Sequence, residues 1–257
     1  MINQTYDLLL YIPPDKDLLG FAFSATICSY SFHWYLTAES VISSSRIIWL
    51  KQNRQLHLIF FFIGIVGTAI FFFYLIHYWF WLAIAAVVTF LYSAPKIPHK
   101  HFRALRKVAL GKTIFLAFVW MYATTILPII ISSVKWQPHF ILFILSRFFL
   151  IYAICILFDY RDREDDKAAG IRSLITYLNE KSILSLFIFS LIVFSISTLM
   201  MLQYDYELLD VLLIFFPGII VALIYRYAIK NFSDIFYYLV LDGLMALSSI
   251  IMLVAGI

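Results

Sequence analysis

Five carboxylates crowd into eight positions of the chain, from Asp159 to Asp166, within the stretch FDYRDREDDKAAGIRSL. Only 13% of all residues are charged, so this density of acids is unusual here. On a continuous helix, Asp159, Asp162 and Asp166 would lie within about 60° of one another, in one stripe. Like charges at that spacing repel each other, so the stripe needs a positive partner.

Two kinds of positive partner fit this stripe. A hard divalent cation such as Mg²⁺ takes oxygen ligands and commonly shares them with phosphates, so lysines and arginines nearby favour a metal-bridged diphosphate. The alternative is a solvated charge cluster, in which Arg161, Arg163 and Lys167 pair with the acids. The spacing favours the metal, with the three aspartates of the stripe as its ligands.

The acids follow directly on an almost continuously apolar run, residues 139–158. Hydrophobic residues make up 63% of the 257 residues, and the mean hydropathy is +0.93. Soluble domains are only about 45–50% apolar. The composition therefore predicts an all-α, polytopic membrane helix bundle, because continuous apolar runs favour helices over a barrel. Eight spans of about 20 residues are expected, at 18–38, 57–76, 78–94, 113–134, 138–158, 182–202, 208–227 and 235–256.

Lysine and arginine are distributed unevenly between the two sides of these spans. One side carries 16 of the 19 basic residues, the other carries only Lys16 and Lys135, and Arg147 lies inside a span. Basic connections face the cytoplasm. We therefore expect a multi-pass protein of the bacterial inner (plasma) membrane with a cytoplasmic active face. Anionic lipid headgroups explain the short basic loops, so no nucleic-acid partner is expected.

The residues around the acids resemble a known family. The stretch DYRDREDD followed by AAGIRSL resembles the second Asp-rich motif of the UbiA superfamily of intramembrane prenyltransferases, with Gly170, Ser173 and Leu174 in the family's Gly and Ser-Leu places. In YSAPK, Tyr92 and Lys96 fit the family's Tyr-x-x-x-Lys pattern. The C-terminal VLDGLMAL resembles the family's closing helix.

This resemblance implies a fold and an activity. The family fold is a ring of nine transmembrane helices around a cavity, whose two Asp-rich motifs hold Mg²⁺ on an isoprenyl diphosphate at the cytoplasmic side. It implies that residues 1–257 form a single UbiA-like domain that moves a prenyl group onto an aromatic or other lipid-soluble acceptor, as in quinone biosynthesis.

The resemblance also implies roles for individual residues. Catalysis and Mg²⁺ binding fall to Asp159, Asp162 and Asp166. The residues expected to bind substrate are Tyr92, Lys96, Arg103, Arg106, Arg147, Glu39 and Asp242.

Two features depart from the family pattern. The family's first Asp-rich motif, Asn-Asp-x-x-Asp-x-x-x-Asp, falls at YSFHWYLTAES. With Glu39 at the place of the last Asp, Ser31 stands where the family has Asn, and Phe32 and Tyr35 stand where it has the other two Asp residues, so Glu39 is the only carboxylate of this stretch. Fewer carboxylates weaken the binding of a hard cation. In addition, eight spans are predicted, and the chain starts where the family's first helix would be ending. The alternative is therefore a catalytically impaired UbiA-like protein that binds a prenyl lipid.

Two charged residues lie inside predicted spans. Arg147 precedes Asp159 by 12 residues, about three helical turns, so both are expected on roughly the same face. Intramembrane charges usually face a cavity or a charged partner, and we expect Arg147 to face the cavity. The alternative is a buried ion pair between Arg147 and Asp242. A transporter that uses both residues is a third hypothesis, but neither inverted repeats nor broken helices are detected in the sequence.

Overall fold

The structure, a computed structural model of the 257-residue chain, describes residues 1–37, 45–93, 112–168 and 173–255. Throughout these ranges the regular structure is helical and contains no strand, which confirms the predicted all-α class. Six helices in them are long and apolar enough to cross a membrane, as expected for a polytopic bundle. These six are Arg54–Tyr74, Thr113–Ile131, Phe140–Arg161, Glu180–Tyr204, Leu208–Ala228 and Phe236–Ala255.

Two of the eight predicted spans are not among these six. The predicted span 18–38 is helical, as Lys16–Thr37, but serine and histidine residues in its second half make it less apolar. The predicted span 78–94 is a shorter apolar helix, Trp79–Ser93. The remaining six predictions agree with the observed helices to within a few residues at each end.

The described helices are numbered α1 to α13 along the chain. They are α1 Ile2–Thr5, α2 Lys16–Thr37, α3 Ser45–Gln52, α4 Arg54–Tyr74, α5 Trp79–Ser93, α6 Lys112–Met121, α7 Leu127–Ile131, α8 Phe140–Arg161, α9 Arg163–Ala168, α10 Leu174–Tyr177, α11 Glu180–Met200, α12 Leu208–Ala228 and α13 Asp242–Ala255. π-helical turns follow α1 and α6 and precede α13, at Tyr6–Leu10, Tyr122–Ile126 and Phe236–Leu241.

Residues 15–109 form one compact unit, in which α2 and α4 are the main packed pair. Small residues let these two helices approach closely. A Cβ atom on Gly64 would lie 2.5 Å from the backbone nitrogen of Cys28, and one on Gly67 would meet the side chain of Ser24. Close packing through small residues is how helices associate in a membrane, where lipid removes the hydrophobic driving force.

Residues 1–14 and 110–257 form a second compact unit. Its most buried spanning helix is α8, and both α6 and α11 pack along it. The run LIYAICIL, residues 150–157, is enclosed on every side. α8 ends at Arg161, inside the acidic stretch, and therefore includes Asp159. The packing around residues 150–157 thus sets the position of Asp159.

The beginning of the chain belongs to the core of this second unit. α1 packs against the π-helical turn after α6 and against α13, and Gln4, Thr5 and Tyr6 are almost fully buried. The segment ends at Tyr11, whose φ of 53° is left-handed. Buried polar groups must find hydrogen-bond partners, so Gln4 and Thr5 require polar neighbours inside the unit.

Candidate functional site

The acidic stretch lies at a break between two helices. α8 ends at Arg161, and Asp162 follows with φ −85° and ψ 2° before α9 begins at Arg163. The backbone N–H of Asp166 still donates to the carbonyl of Asp162, at 2.8 Å. The single stripe expected for a continuous helix is therefore divided, with Asp159 on α8 and Asp166 on α9.

Asp159 is buried and points towards α6. Its carboxylate accepts a hydrogen bond from the hydroxyl of Thr113, which is also buried. A buried carboxylate needs such donors, because its charge is far less stable away from water. The sequence did not reveal Thr113, since nothing in the spacing shows which residue of a distant helix lies opposite Asp159.

Asp162 already has a positively charged partner. Nε of Arg161 donates to its Oδ1 at 2.8 Å, and Nη2 of Arg161 reaches its Oδ2 at 3.3 Å. Two-point contact between a guanidinium and a carboxylate is one of the strong ion-pair geometries. The alternative considered from the sequence was a charge cluster in which arginines and a lysine pair with the acids. The pair between Arg161 and Asp162 agrees with that alternative.

Aromatic rings surround the guanidinium of Arg161. Its Cζ lies 4.6 Å from the ring centre of Tyr237, 5.0 Å from that of Tyr238 and 5.3 Å from that of Phe158. Distances of this size allow cation–π attraction. Nη2 also donates to the Tyr238 hydroxyl at 3.2 Å. The aromatic cage therefore holds Arg161 beside Asp162 and ties the end of α8 to the segment before α13.

The remaining acids of the stretch differ from one another in their surroundings. Asp166 is buried, with 7% of its surface exposed. Glu164 is exposed and pairs with Lys167 at 2.8 Å, and this hydrogen bond lowers the pKa of Glu164. Arg163 instead pairs with Glu180 of α11 at 2.7 Å, which anchors α9 to that helix. Glu164 and Lys167 therefore pair within the stretch, as Arg161 and Asp162 do, whereas Arg163 pairs with an acid outside it.

The described acids do not by themselves make a finished magnesium site. Among the residues that the structure describes, no three His, Cys, Asp or Glu side chains gather in a group that would hold a metal ion. Asp159 is engaged by Thr113, and Asp162 is engaged by Arg161. Mg²⁺ demands near-octahedral oxygen ligation, and the carboxylates as arranged do not supply it.

Most of the other predicted substrate-binding residues cannot be placed. Glu39, Lys96, Arg103 and Arg106 lie outside the described residues, and Tyr92 is described only in its backbone. Their roles stay predictions.

Arg147, in the middle of α8, is buried, but it does not form the ion pair with Asp242 considered from the sequence. Its guanidinium hydrogen-bonds Gln4, Thr5 and residues of the turn after α6. Asp242 begins α13 and is partly buried. The early residues that hold Arg147 were missed, because a short polar segment gives no periodic signal.

Six apolar spanning helices and an acidic helix break define this chain as an all-α integral membrane protein. A profile of the UbiA prenyltransferase family matches residues 50–249, most of the chain. The chain therefore belongs to the UbiA prenyltransferase family, as the acidic motif predicted. Comparison with curated proteins and with solved structures gave no match.

Proposed function

We propose that this protein is an intramembrane prenyltransferase that moves an isoprenyl group from a prenyl diphosphate to an aromatic or other lipid-soluble acceptor. The observation that carries the proposal is the acidic helix break, which holds two buried aspartates, Asp159 and Asp166, at the end of a spanning helix. Buried carboxylates are costly, and the break lies within the region that matches the family.

We propose Mg²⁺ as the cofactor, with Asp159, Asp162 and Asp166 as the carboxylates that hold it. Such an ion would neutralise the charge of a diphosphate leaving group. Family membership supports this choice, because UbiA prenyltransferases in general use Mg²⁺ through Asp-rich motifs. Asp162 would first have to part from Arg161, so the arrangement described above is not the one that binds the metal.

Other residues have proposed roles that do not involve the metal. Lys96, Arg103 and Arg106 would supply positive charge to the diphosphate, and Tyr92 and Glu39 would contact the substrate. The apolar spans would keep water from a reactive allylic cation. The acidic face would lie in the cytoplasm, as the distribution of basic residues predicts.

A second candidate is a protein that binds a prenyl lipid without transferring it. The bidentate pair between Arg161 and Asp162 favours this candidate, because it gives Asp162 a protein cation in place of a metal. The sequence YSFHWYLTAES, with one carboxylate where the family has three, favours it as well.

The test of the first candidate is turnover by the purified protein in lipid nanodiscs. Isotopically labelled farnesyl and geranylgeranyl diphosphates are supplied with Mg²⁺ and a panel of aromatic acceptors, and prenylated products are measured. Asp166→Asn should reduce the rate by about a hundredfold or more, as loss of a group that stabilises charge usually does. Glu164→Gln, the matched control on the exposed side of α9, should leave the rate unchanged.

Three outcomes separate the candidates. Prenylated product that depends on Asp166 supports the transferase. Saturable binding of the diphosphate without product supports the lipid-binding protein. Absence of both binding and product contradicts the two together.

A further inference from the structure

Arg147 is a buried cation surrounded by neutral oxygens. Only 6% of its surface is exposed. Nη1 donates to the hydroxyl of Thr5 at 2.8 Å, to the hydroxyl of Thr125 at 3.1 Å and to the carbonyl of Thr124 at 2.9 Å, and Nη2 donates to Oε1 of Gln4 at 2.7 Å. A fifth acceptor is the carbonyl of Met1, at 3.1 Å from Nη1.

The sequence explains why the Thr124 carbonyl is free to accept. Pro128 lies four residues further along and has no N–H to donate to it, and the intervening turn, Tyr122–Ile126, is π-helical. The carbonyl instead accepts from the Thr5 hydroxyl at 2.7 Å and from Arg147. The helix is therefore built to present an oxygen to the guanidinium.

Hydrogen bonds to neutral oxygens do not cancel the charge of Arg147. None of its contacts within the described part of the chain is with a carboxylate. A charge in the interior of a membrane protein pairs either with an opposite charge or with backbone carbonyls, and carbonyls contribute no net charge to balance Arg147. These hydrogen bonds use neither the Nε–H group of Arg147 nor the second hydrogen of Nη2.

A small cavity lies against this guanidinium. Its volume is about 20 Å³, which admits one water or one ion of similar size. Gln4, Ser146 and Ser248 give it polar walls, and Phe143, whose ring centre is 4.4 Å from Cζ of Arg147, lines another side.

The hydroxyl group of Ser248 can donate a hydrogen bond into this cavity. Its hydroxyl oxygen accepts from Nε2 of Gln4 at 3.1 Å, and its own proton has only a 3.5 Å contact, with Oε1 of Gln4. Ser146 is already bonded to Thr198 at 2.7 Å. The hydroxyl of Ser248 and the spare hydrogens of Arg147 are therefore the donors available to an occupant.

We propose that this cavity binds a small monovalent anion, of the size and charge of chloride, as the counter-ion of Arg147. The donors around it are a buried guanidinium and a hydroxyl, and charge-assisted hydrogen bonds to a buried anion are strong. One monovalent anion balances the single charge of the guanidinium, and a monatomic ion suits a cavity of about 20 Å³. The bound anion would stabilise this unit.

The experiment measures halide binding to the purified full-length protein in nanodiscs. The linewidth of ³⁵Cl NMR is followed as chloride replaces gluconate at constant ionic strength, with bromide as a competitor. Saturable broadening that bromide reverses is expected. Ser248→Ala should weaken chloride binding by about tenfold, the usual effect of losing one hydrogen bond to a charge. The exposed hydroxyl variant Ser185→Ala is the matched control and should bind chloride as the parent does.

Arg147→Gln should abolish saturable binding, and the midpoint of its thermal unfolding should no longer rise with chloride. If Arg147→Gln does not fold, the comparison of Ser248→Ala with Ser185→Ala decides the question. Broadening that never saturates, or equal binding by the two serine variants, would overturn the proposal and leave water as the occupant.

Discussion

Single residues show how much of the acidic site depends on neighbours far away in the sequence. Asp159 is held by Thr113 of α6, and Asp162 is held by Arg161, whose aromatic cage includes the distant Tyr237 and Tyr238. The Thr113 contact orients the carboxylate of Asp159. The Arg161 contact occupies the carboxylate of Asp162, which a ligand would have to displace.

The Thr113 hydroxyl is expected to stabilise the fold. Thr113→Val keeps the shape of the side chain but leaves the buried carboxylate of Asp159 without this donor. It should lower the free energy of unfolding by about 1–3 kcal/mol. Thr113→Ser keeps the hydroxyl and should cost clearly less. Denaturant titration in detergent measures both, and equal losses would contradict the role of the hydrogen bond.

At this scale the sequence located the acids but not their surroundings. The density and spacing of Asp159, Asp162 and Asp166 were visible, and so was the proximity of Arg161. The aromatic cage was not visible, because Tyr237 and Tyr238 are about 75 residues further along the chain. Pairings of this kind depend on tertiary packing, which local spacing does not encode.

The helices of each unit pack in a different way. In the unit of residues 15–109, small residues allow α2 and α4 to touch. In the other unit, the apolar run of α8 is enclosed by its neighbours.

Close packing of α2 and α4 makes Gly64 intolerant of a side chain. Gly64→Ala would put a methyl group 2.5 Å from the backbone nitrogen of Cys28, and it should destabilise the protein by about 1–3 kcal/mol. Gly243→Ala, in α13, meets nothing within 4 Å. That control should be neutral or stabilising by up to about 1 kcal/mol, because alanine favours helix. Similar destabilisation by both variants would contradict the packing.

His139, just before α8, is expected to make stability depend on pH. Its ring packs edge-on against Phe140 and Tyr206, and burial lowers the pKa of His139. The unfolded chain therefore binds the proton more readily, so stability is full above the unfolded pKa and is lost as pH falls below it.

The midpoint of thermal unfolding measures this effect. It should fall between about pH 7.5 and about pH 5.5, and it should fall less in His139→Phe, which keeps the aromatic contacts without the titration. An identical fall in the parent and the variant would show that other groups are responsible.

The apolar runs of the sequence predicted where the helices lie, but they did not predict where the helices are interrupted. The break at Asp162 and the π-helical turn before Pro128 both lie beside arginines that bond to them, Arg161 at the break and Arg147 at the turn. The span predicted at 78–94 is shorter than expected, since composition alone does not mark where a helix stops.

The whole molecule is an integral membrane protein of the UbiA prenyltransferase family. Its proposed orientation is argued from the distribution of charge. Basic residues cluster on the side that carries the acidic helix break. Basic connections stay in the cytoplasm, so the break should lie there too.

Labelling of single cysteines in intact cells tests this orientation. In a background with Cys28 and Cys155 replaced by serine, Lys135→Cys should react with a membrane-impermeant maleimide. Lys167→Cys should react only after the cells are opened. Both positions are exposed, so access to the reagent is limited by the membrane alone. The reverse pattern would contradict the proposed cytoplasmic face.

The central claim is that the acidic helix break binds a prenyl diphosphate together with Mg²⁺. Equilibrium binding of labelled farnesyl diphosphate to the protein in nanodiscs, with Mg²⁺ or with EDTA, tests it most directly. We expect binding that requires Mg²⁺, that Asp159→Asn weakens by at least about tenfold, and that Glu164→Gln leaves unchanged. Binding that is equal with and without Mg²⁺, or equal in the two variants, would contradict the claim.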